Sequence, residues 1–279
     1  MSAECSICER SLVNDSFQQA LGETLSILTR IKEGFGPYPT LSSASLEKLK
    51  RASTRKTRPP EIAAEGALRA STDDTVFAAL REAALLCVRC PHLARSRTQV
   101  VFGVGNPKAE LMFVGEAPGA DEDTQGEPFV GRAGQLLTKI IEAMGFRRED
   151  VYIANVLKCR PDMPTGISGN RKPTPEEMKT CLPWLEKQIE LVKPRVMVAL
   201  GATALEGLLG ATTAVTKMRG RWLNFHGIPV MPTYHPAYLL YNQAVTEKRK
   251  VWEDMLQVLE RLGTPITEKQ RRFFTKTES

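Results

Sequence analysis

The segment from Leu111 to Met144 constrains this chain more than any other. It opens with a short apolar run, Leu111-Met112-Phe113-Val114, bounded by Glu110 and Gly115, which predicts a buried strand. From Gly134 onward, Leu136, Leu137, Ile140, Ile141 and Met144 recur at helical spacing. Between strand and helix lies a long loop with Glu116, Asp121, Glu122, Asp123, several glycines and a single aromatic, Phe129. In an open α/β sheet, ligands bind just beyond the carboxyl ends of the strands, on loops of this kind. An acidic, glycine-rich loop carrying one ring suits closure around something small and flat. An ordinary strand-to-helix connection with surface carboxylates is the plainer alternative.

The same grammar repeats downstream. Strands are expected at Leu111 to Val114, Val151 to Leu157, Val196 to Leu200 and Ile228 to Thr233. Helices are expected from near Gly134, Pro175, Ala202 and Pro236, and from Thr246 to Leu262. Strands separated by helices predict a three-layer α/β/α domain around a central, mostly parallel four-stranded sheet. This domain is placed at 73–263. Before it, residues 1–72 form an extension with one amphipathic helix (Phe17, Leu21, Leu25, Leu28, Ile31) and a basic linker containing Lys48, Lys50, Arg51, Arg55, Lys56 and Arg58. The linker reads as solvated chain, with an auxiliary nucleic-acid contact as the alternative. After it, 264–279 is a polar tail expected to fray.

The hydrophobic fraction of 42% and charged fraction of 25% are those of a soluble globular protein. No run approaches the roughly 18 apolar residues of a membrane span. The first residues lack a basic stretch followed by an apolar one, so no secretory signal is expected and the protein is placed in the cytoplasm. A net charge of +6 suits a polyanionic partner. In that setting the six cysteines point to metal ligation before disulfides. Cys87 and Cys90 form a C-x2-C pair at the end of a helix, Cys159 ends a strand, and Cys181 lies in the helix begun at Pro175. Four such thiolates suit a structural zinc or an iron–sulfur cluster. One close pair plus two separated cysteines is more typical of a cluster. Cys5 and Cys8 have no visible partner pair and stay unassigned.

Of three histidines, His92 and His226 read as structural or surface residues. His235 follows a strand and precedes Pro236, which suits the first turn of a helix. A histidine beside a helix N-terminus tends to be neutral, because the dipole disfavours the cation, and can then donate to a developing anion. Asn155 falls at the same end of the sheet, where an inward amide must find a partner. Its donor and acceptor together match the amide edge of a pyrimidine.

These pieces resemble the family 4 (thermostable, iron–sulfur) uracil-DNA glycosylases over about Leu85 to Leu262. The motifs are Gly115-Glu116-Ala117-Pro118-Gly119, Pro128-Phe129-Val130-Gly131 with Ala133-Gly134-Gln135-Leu136-Leu137, and Asn155 through Lys158-Cys159-Arg160-Pro161. Pro173-Thr174-Pro175-Glu176-Glu177 with Cys181, and Tyr234-His235-Pro236-Ala237-Tyr238-Leu239-Leu240, complete the set. The resemblance implies a [4Fe–4S] cluster on Cys87, Cys90, Cys159 and Cys181, structural in role. It implies a base excision repair enzyme, monomeric, acting on uracil-containing DNA, single- or double-stranded, and nucleoid-associated when bound. Phe129 would stack on the flipped uracil, Asn155 would read its O4 and N3 edge, and His235 would donate to O2. Gly115, Ala117, Glu116 and Glu122 would line the pocket, with the two carboxylates approaching the sugar or the attacking water.

Three departures are visible. Ala117 stands where family 1 enzymes place a water-activating aspartate. The loop Asp162 to Arg171 is longer than usual but has no histidine, unlike a covalent uracil-trapping branch, so turnover is expected. Tyr241 replaces a frequent arginine. Two rival readings are a nucleic-acid-binding module that kept the fold without turnover, and a glycosylase for another deaminated base such as hypoxanthine.

Overall fold

The computed structural model describes residues 72–161, 169–210 and 213–275, all within the compact unit Leu68–Ser279. The helix expected within 1–35, the basic linker, Cys5 and Cys8 lie outside the described residues, as do positions 162–168 of the lengthened loop.

Six strands form one sheet in the order β1-β3-β2-β4-β6-β5. The four expected strands are its centre: β2 (Leu111–Gly115), β3 (Tyr152–Asn155), β4 (Val196–Leu200) and β6 (Ile228–Thr233), all mutually parallel. The expected count of four is corrected to six by two antiparallel edge strands, β1 (Val104–Gly105) and β5 (Leu223–Phe225). At two and three residues, neither edge strand carries a periodic signal. β5 and β6 form an antiparallel hairpin, with His226 exposed in its turn.

Central strands read as continuous apolar runs because both faces are covered. Along β2, Met112 and Val114 face one core and Leu111 and Phe113 the other. The first core is closed by α1 (Thr72–Leu85), α5 (Pro175–Val192) and α6 (Ala202–Leu209), through residues such as Ala84, Leu185, Ile189 and Leu205. The second is closed by α4 (Arg132–Met144) and α9 (Val245–Leu262), through Leu137, Ile141, Trp252, Met255 and Leu259. Three further short helices are α2 (Pro91–Ser96), α3 (Ala120–Gln125) and α7 (Val215–Met218). Helix α8 (Pro236–Tyr241) follows β6, and α10 (Glu268–Arg271) is the last helix among the described residues. Among the described residues no helix is long and apolar enough to cross a membrane.

Two local outcomes differ from expectation. The acidic loop is not all loop: Asp121, Glu122 and Asp123 form the first turn of α3, where carboxylates favour the positive end of the helix. The tail is not frayed up to Thr275. Trp252 Nε1 donates to Gln270 O at 2.6 Å, and Gln270 Nε2 donates to Ala143 O at 2.9 Å, near the end of α4. Phe273 adds a ring contact on Trp252. Polar composition suggested fraying, but a polar side chain that caps a neighbouring helix is anchored by that carbonyl.

Candidate functional site

The carboxyl ends of β2, β3, β4 and β6 open onto one edge of the sheet. There β2 sends its connection to the α4 face, while β3 and β4 send theirs to the α5 and α6 face. Such a parting of connections makes a crevice. A cavity of about 140 Å³ fills it. That is well below the roughly 300–1,000 Å³ of drug-sized sites and suits a single planar ring. Its apolar wall is Phe129, Ala117, Ala133 and Ala237; its polar groups are Asn155, His235, Glu122 and Asn170, with Gly119 at the edge.

Each wall has a local cause. The backbone of Phe129 is left-handed (φ 56°), a conformation that costs about 1–3 kcal/mol unless its surroundings impose it. Here they do. Glu122 Oε1 accepts from Val130 N and Gly131 N, both at 3.0 Å, and Oε2 accepts from Gly119 N at 3.1 Å. Arg148 Nη2 donates to Pro128 O at 2.6 Å. A Cβ on Gly134 would sit 1.9 Å from the Phe129 carbonyl carbon and oxygen, so only glycine lets α4 start against this turn. The Phe129 ring then lies 5.6 Å from the His235 ring at a 32° tilt.

His235 is the N-cap of α8. Its Nδ1 accepts from Ala237 N at 3.1 Å, so the neutral ring carries its proton on Nε2. Burial pushes its pKa down to about 4, with the Glu122 charge partly opposing. The neutrality expected from the helix terminus is therefore present, but burial is its chief cause. Asn155, only 2% exposed, ends β3 beside Gly115, and its Oδ1 has no hydrogen-bond partner among the described residues. A buried acceptor left open costs about 1–3 kcal/mol, and here it is one of the cavity's lining groups.

Ala117, Glu122, Phe129, Asn155 and His235 are thus brought together, with Gly115 directly behind Asn155 and Phe129. Glu116 is not among the lining residues. It sits half-buried near Thr203, Lys172 and Glu206; burial raises its pKa. Glu122 reaches the wall, but both of its oxygens hold backbone amides. Asn170 was not singled out from sequence, since nothing in a polar loop marks the one amide that folds over the cavity.

On the α5 side, four free thiols gather from three segments: Cys87 and Cys90 between α1 and α2, Cys159 after β3, and Cys181 in α5. Each interacts electrostatically with at least one of the others. Three sulfurs also receive N–H donors: Cys159 from Arg97 Nη1 (3.0 Å), Cys181 from Lys158 N (3.2 Å) and Cys87 from Trp184 Nε1 (3.3 Å). Burial pushes the Cys181 thiol up to about 12 and raises those of Cys90 and Cys159. Unpaired soft donors with N–H groups aimed at sulfur fit an iron–sulfur or zinc centre. Among the described residues no three His, Cys, Asp or Glu side chains meet the geometry of a single bound ion. His92, read as structural, bonds the buried Glu177 (2.7 Å), which also holds Arg171 and caps α5 through Thr174 N.

The family model described as "Uracil DNA glycosylase superfamily" matches residues 102–256, more than half of the 279-residue chain. A type-4 uracil-DNA glycosylase of Thermotoga maritima is 50% identical over 173 residues, covering 61% of this chain and 85% of that protein. One from Archaeoglobus fulgidus is 44% identical over 170 residues, covering 58% and 82%. A type-5 uracil-DNA glycosylase of Pyrobaculum aerophilum is 33% identical over 208 residues, covering 63% and 87%.

Proposed function

Since the chain belongs to the uracil-DNA glycosylase superfamily, we propose that its cavity takes a uracil turned out of DNA and that the enzyme hydrolyses the N-glycosidic bond. The observation that carries this reading is the open Asn155 Oδ1 in a ring-sized cavity also lined by His235 and Phe129. Uracil offers N3–H to that oxygen and O4 to the Asn155 amide nitrogen. Cytosine reverses both, placing donor against donor and leaving buried groups mismatched.

Rotating the nucleotide out of a duplex costs a few kcal/mol. Stacking on Phe129 returns roughly 1–3 kcal/mol. Water adds its hydroxyl to C1′ as the bond to N1 breaks, the electron pair passes to the uracil ring, where charge gathers on O2, and the water's remaining proton ends on the released base. The Nε2–H of His235 meets that oxygen. A fixed donor of this kind is worth on the order of 3 kcal/mol. The Glu122 carboxylate holds the Phe129 turn and sets a negative charge near the oxocarbenium-like sugar. Glu116, desolvated beside Thr203, is the second carboxylate at this end of the sheet.

Cys87, Cys90, Cys159 and Cys181 would hold a [4Fe–4S] cluster, which supplies a cross-link between their segments and no step of the reaction. The reading assigns 73–263 as a catalytic domain, within which every lining residue falls, and takes it to work as a monomer. It places the protein in the cytoplasm, on the nucleoid when bound to DNA. Tyr241, 92% exposed on α8, lies on the helix that begins after His235, where DNA would approach.

Uracil release from a uracil-containing oligonucleotide, measured with a chelator present, is the deciding experiment. Free uracil and an abasic strand are expected. Binding without release would favour a non-catalytic module, and release of hypoxanthine but not uracil would favour another base. A second expectation concerns Gly115. A Cβ there would lie 2.4 Å from Asn155 Oδ1 and 2.5 Å from Phe129 Cζ. Gly115→Ala should lower kcat/KM for uracil on the order of 10²-fold through misplacement alone. Thermal melts should move far less than the kinetics; an unchanged kcat/KM would contradict this geometry.

A further inference from the structure

Lys158 is 2% exposed, and a buried ammonium requires partners. Its Nζ donates to Asn155 O at 2.8 Å and to Gln188 Oε1 at 2.5 Å. Gln188, fully buried, is itself fixed by donating to Phe102 O (2.9 Å) and Tyr152 OH (2.8 Å). The lysine's backbone is tied on both sides. Its N–H donates to Cys181 Sγ, and its C=O accepts from Val101 N at 2.7 Å.

β3 ends at Asn155, yet the peptide plane that follows is held at both ends. Val156 N donates to Gly115 O at 3.0 Å, and the Asn155 carbonyl accepts from the Lys158 ammonium. The side-chain oxygen of Asn155 is left open in the cavity. We propose that Lys158 is a positioning residue for base recognition: by locking the Asn155–Val156 peptide plane to a lysine whose own backbone is tied to Cys181 Sγ and Val101 N, it sets the aim of the Asn155 amide. Lys158 does not line the cavity and acts only through Asn155. The inference rests on reading Asn155 as the group that recognises uracil.

The test compares two variants of the full-length protein, loaded as purified, that each remove buried hydrogen bonds from the same cluster. Lys158→Met removes the bonds to Asn155 O and Gln188 Oε1; Gln188→Leu removes the bonds of Gln188 to Lys158, Phe102 O and Tyr152 OH and leaves the Lys158–Asn155 bond in place. Both should lower the melting temperature. Only Lys158→Met should raise KM for uracil-containing DNA and weaken inhibition by free uracil, on the order of 10-fold to 10²-fold, with a smaller change in kcat. Should Lys158→Met fail to fold, Lys158→Gln, which keeps a neutral N–H donor with shorter reach, is read by the same two measurements. Wild-type KM and uracil inhibition in a folded Lys158 variant would overturn the proposal, as would equal losses in Lys158→Met and Gln188→Leu. A wild type that neither releases nor binds uracil would instead overturn the reading of the site, and this inference with it.

Discussion

Replacing His235 with alanine is expected to lower kcat for uracil release by 10²- to 10³-fold, the usual cost of losing one preorganised donor to a developing anion. The Nδ1 bond to Ala237 N leaves only the Nε2 proton available as a donor. Because burial holds the pKa near 4, the ring stays neutral across pH 5–8, and the rate should show no inflection from His235 in that range. An unfolded histidine titrates near 6.5. The folded state therefore binds fewer protons than the unfolded one between those values. The contribution to stability is complete above about pH 6.5 and is lost as pH falls toward 4. Single-turnover rates and melts from pH 4 to 9 read both effects. A variant within tenfold of wild type, or an acid limb centred at 6.5, would remove His235 from the proposed role.

Replacing Cys159 or Cys181 with serine should abolish the visible absorption of the proposed cluster and lower its iron content, with a large loss of stability. The cross-link would join the α1–α2 turn to a cysteine some seventy residues later and to helix α5, so the chain between them is closed only while the centre is present. Losing a native cross-link of comparable reach costs about 2–5 kcal/mol. Neither cysteine lines the cavity, so any residual folded variant should keep its preference for uracil. Iron analysis, absorption spectra and melts check this together. Serine variants with full iron and wild-type melting would show that these thiols are not its ligands.

Much of this protein is legible in its sequence. The four central strands announced themselves as unbroken apolar runs, because a parallel strand covered on both faces admits little polarity. His235 was marked by its place between a strand and Pro236, and the thiols by the C-x2-C pair and their placement on elements at one sheet edge. These are local signals, set by neighbours in sequence.

Tertiary structure decided what depends on direction and on distant partners. Glu116 and Glu122 are equivalent in composition, yet the strand-to-helix turn sends one toward Thr203 and hands both oxygens of the other to backbone amides. Asn170 joins the cavity from a loop with no periodicity, and the tail docks because Gln270 meets a carbonyl of α4. Lys158 looked like one basic residue in a motif until its ammonium was found closing the turn behind Asn155. Sequence determined which apolar residues are buried and in what order, since their burial follows hydrophobic period. Which polar atom meets which was settled only in three dimensions, because hydrogen bonds are directional and their partners here lie up to 127 residues apart.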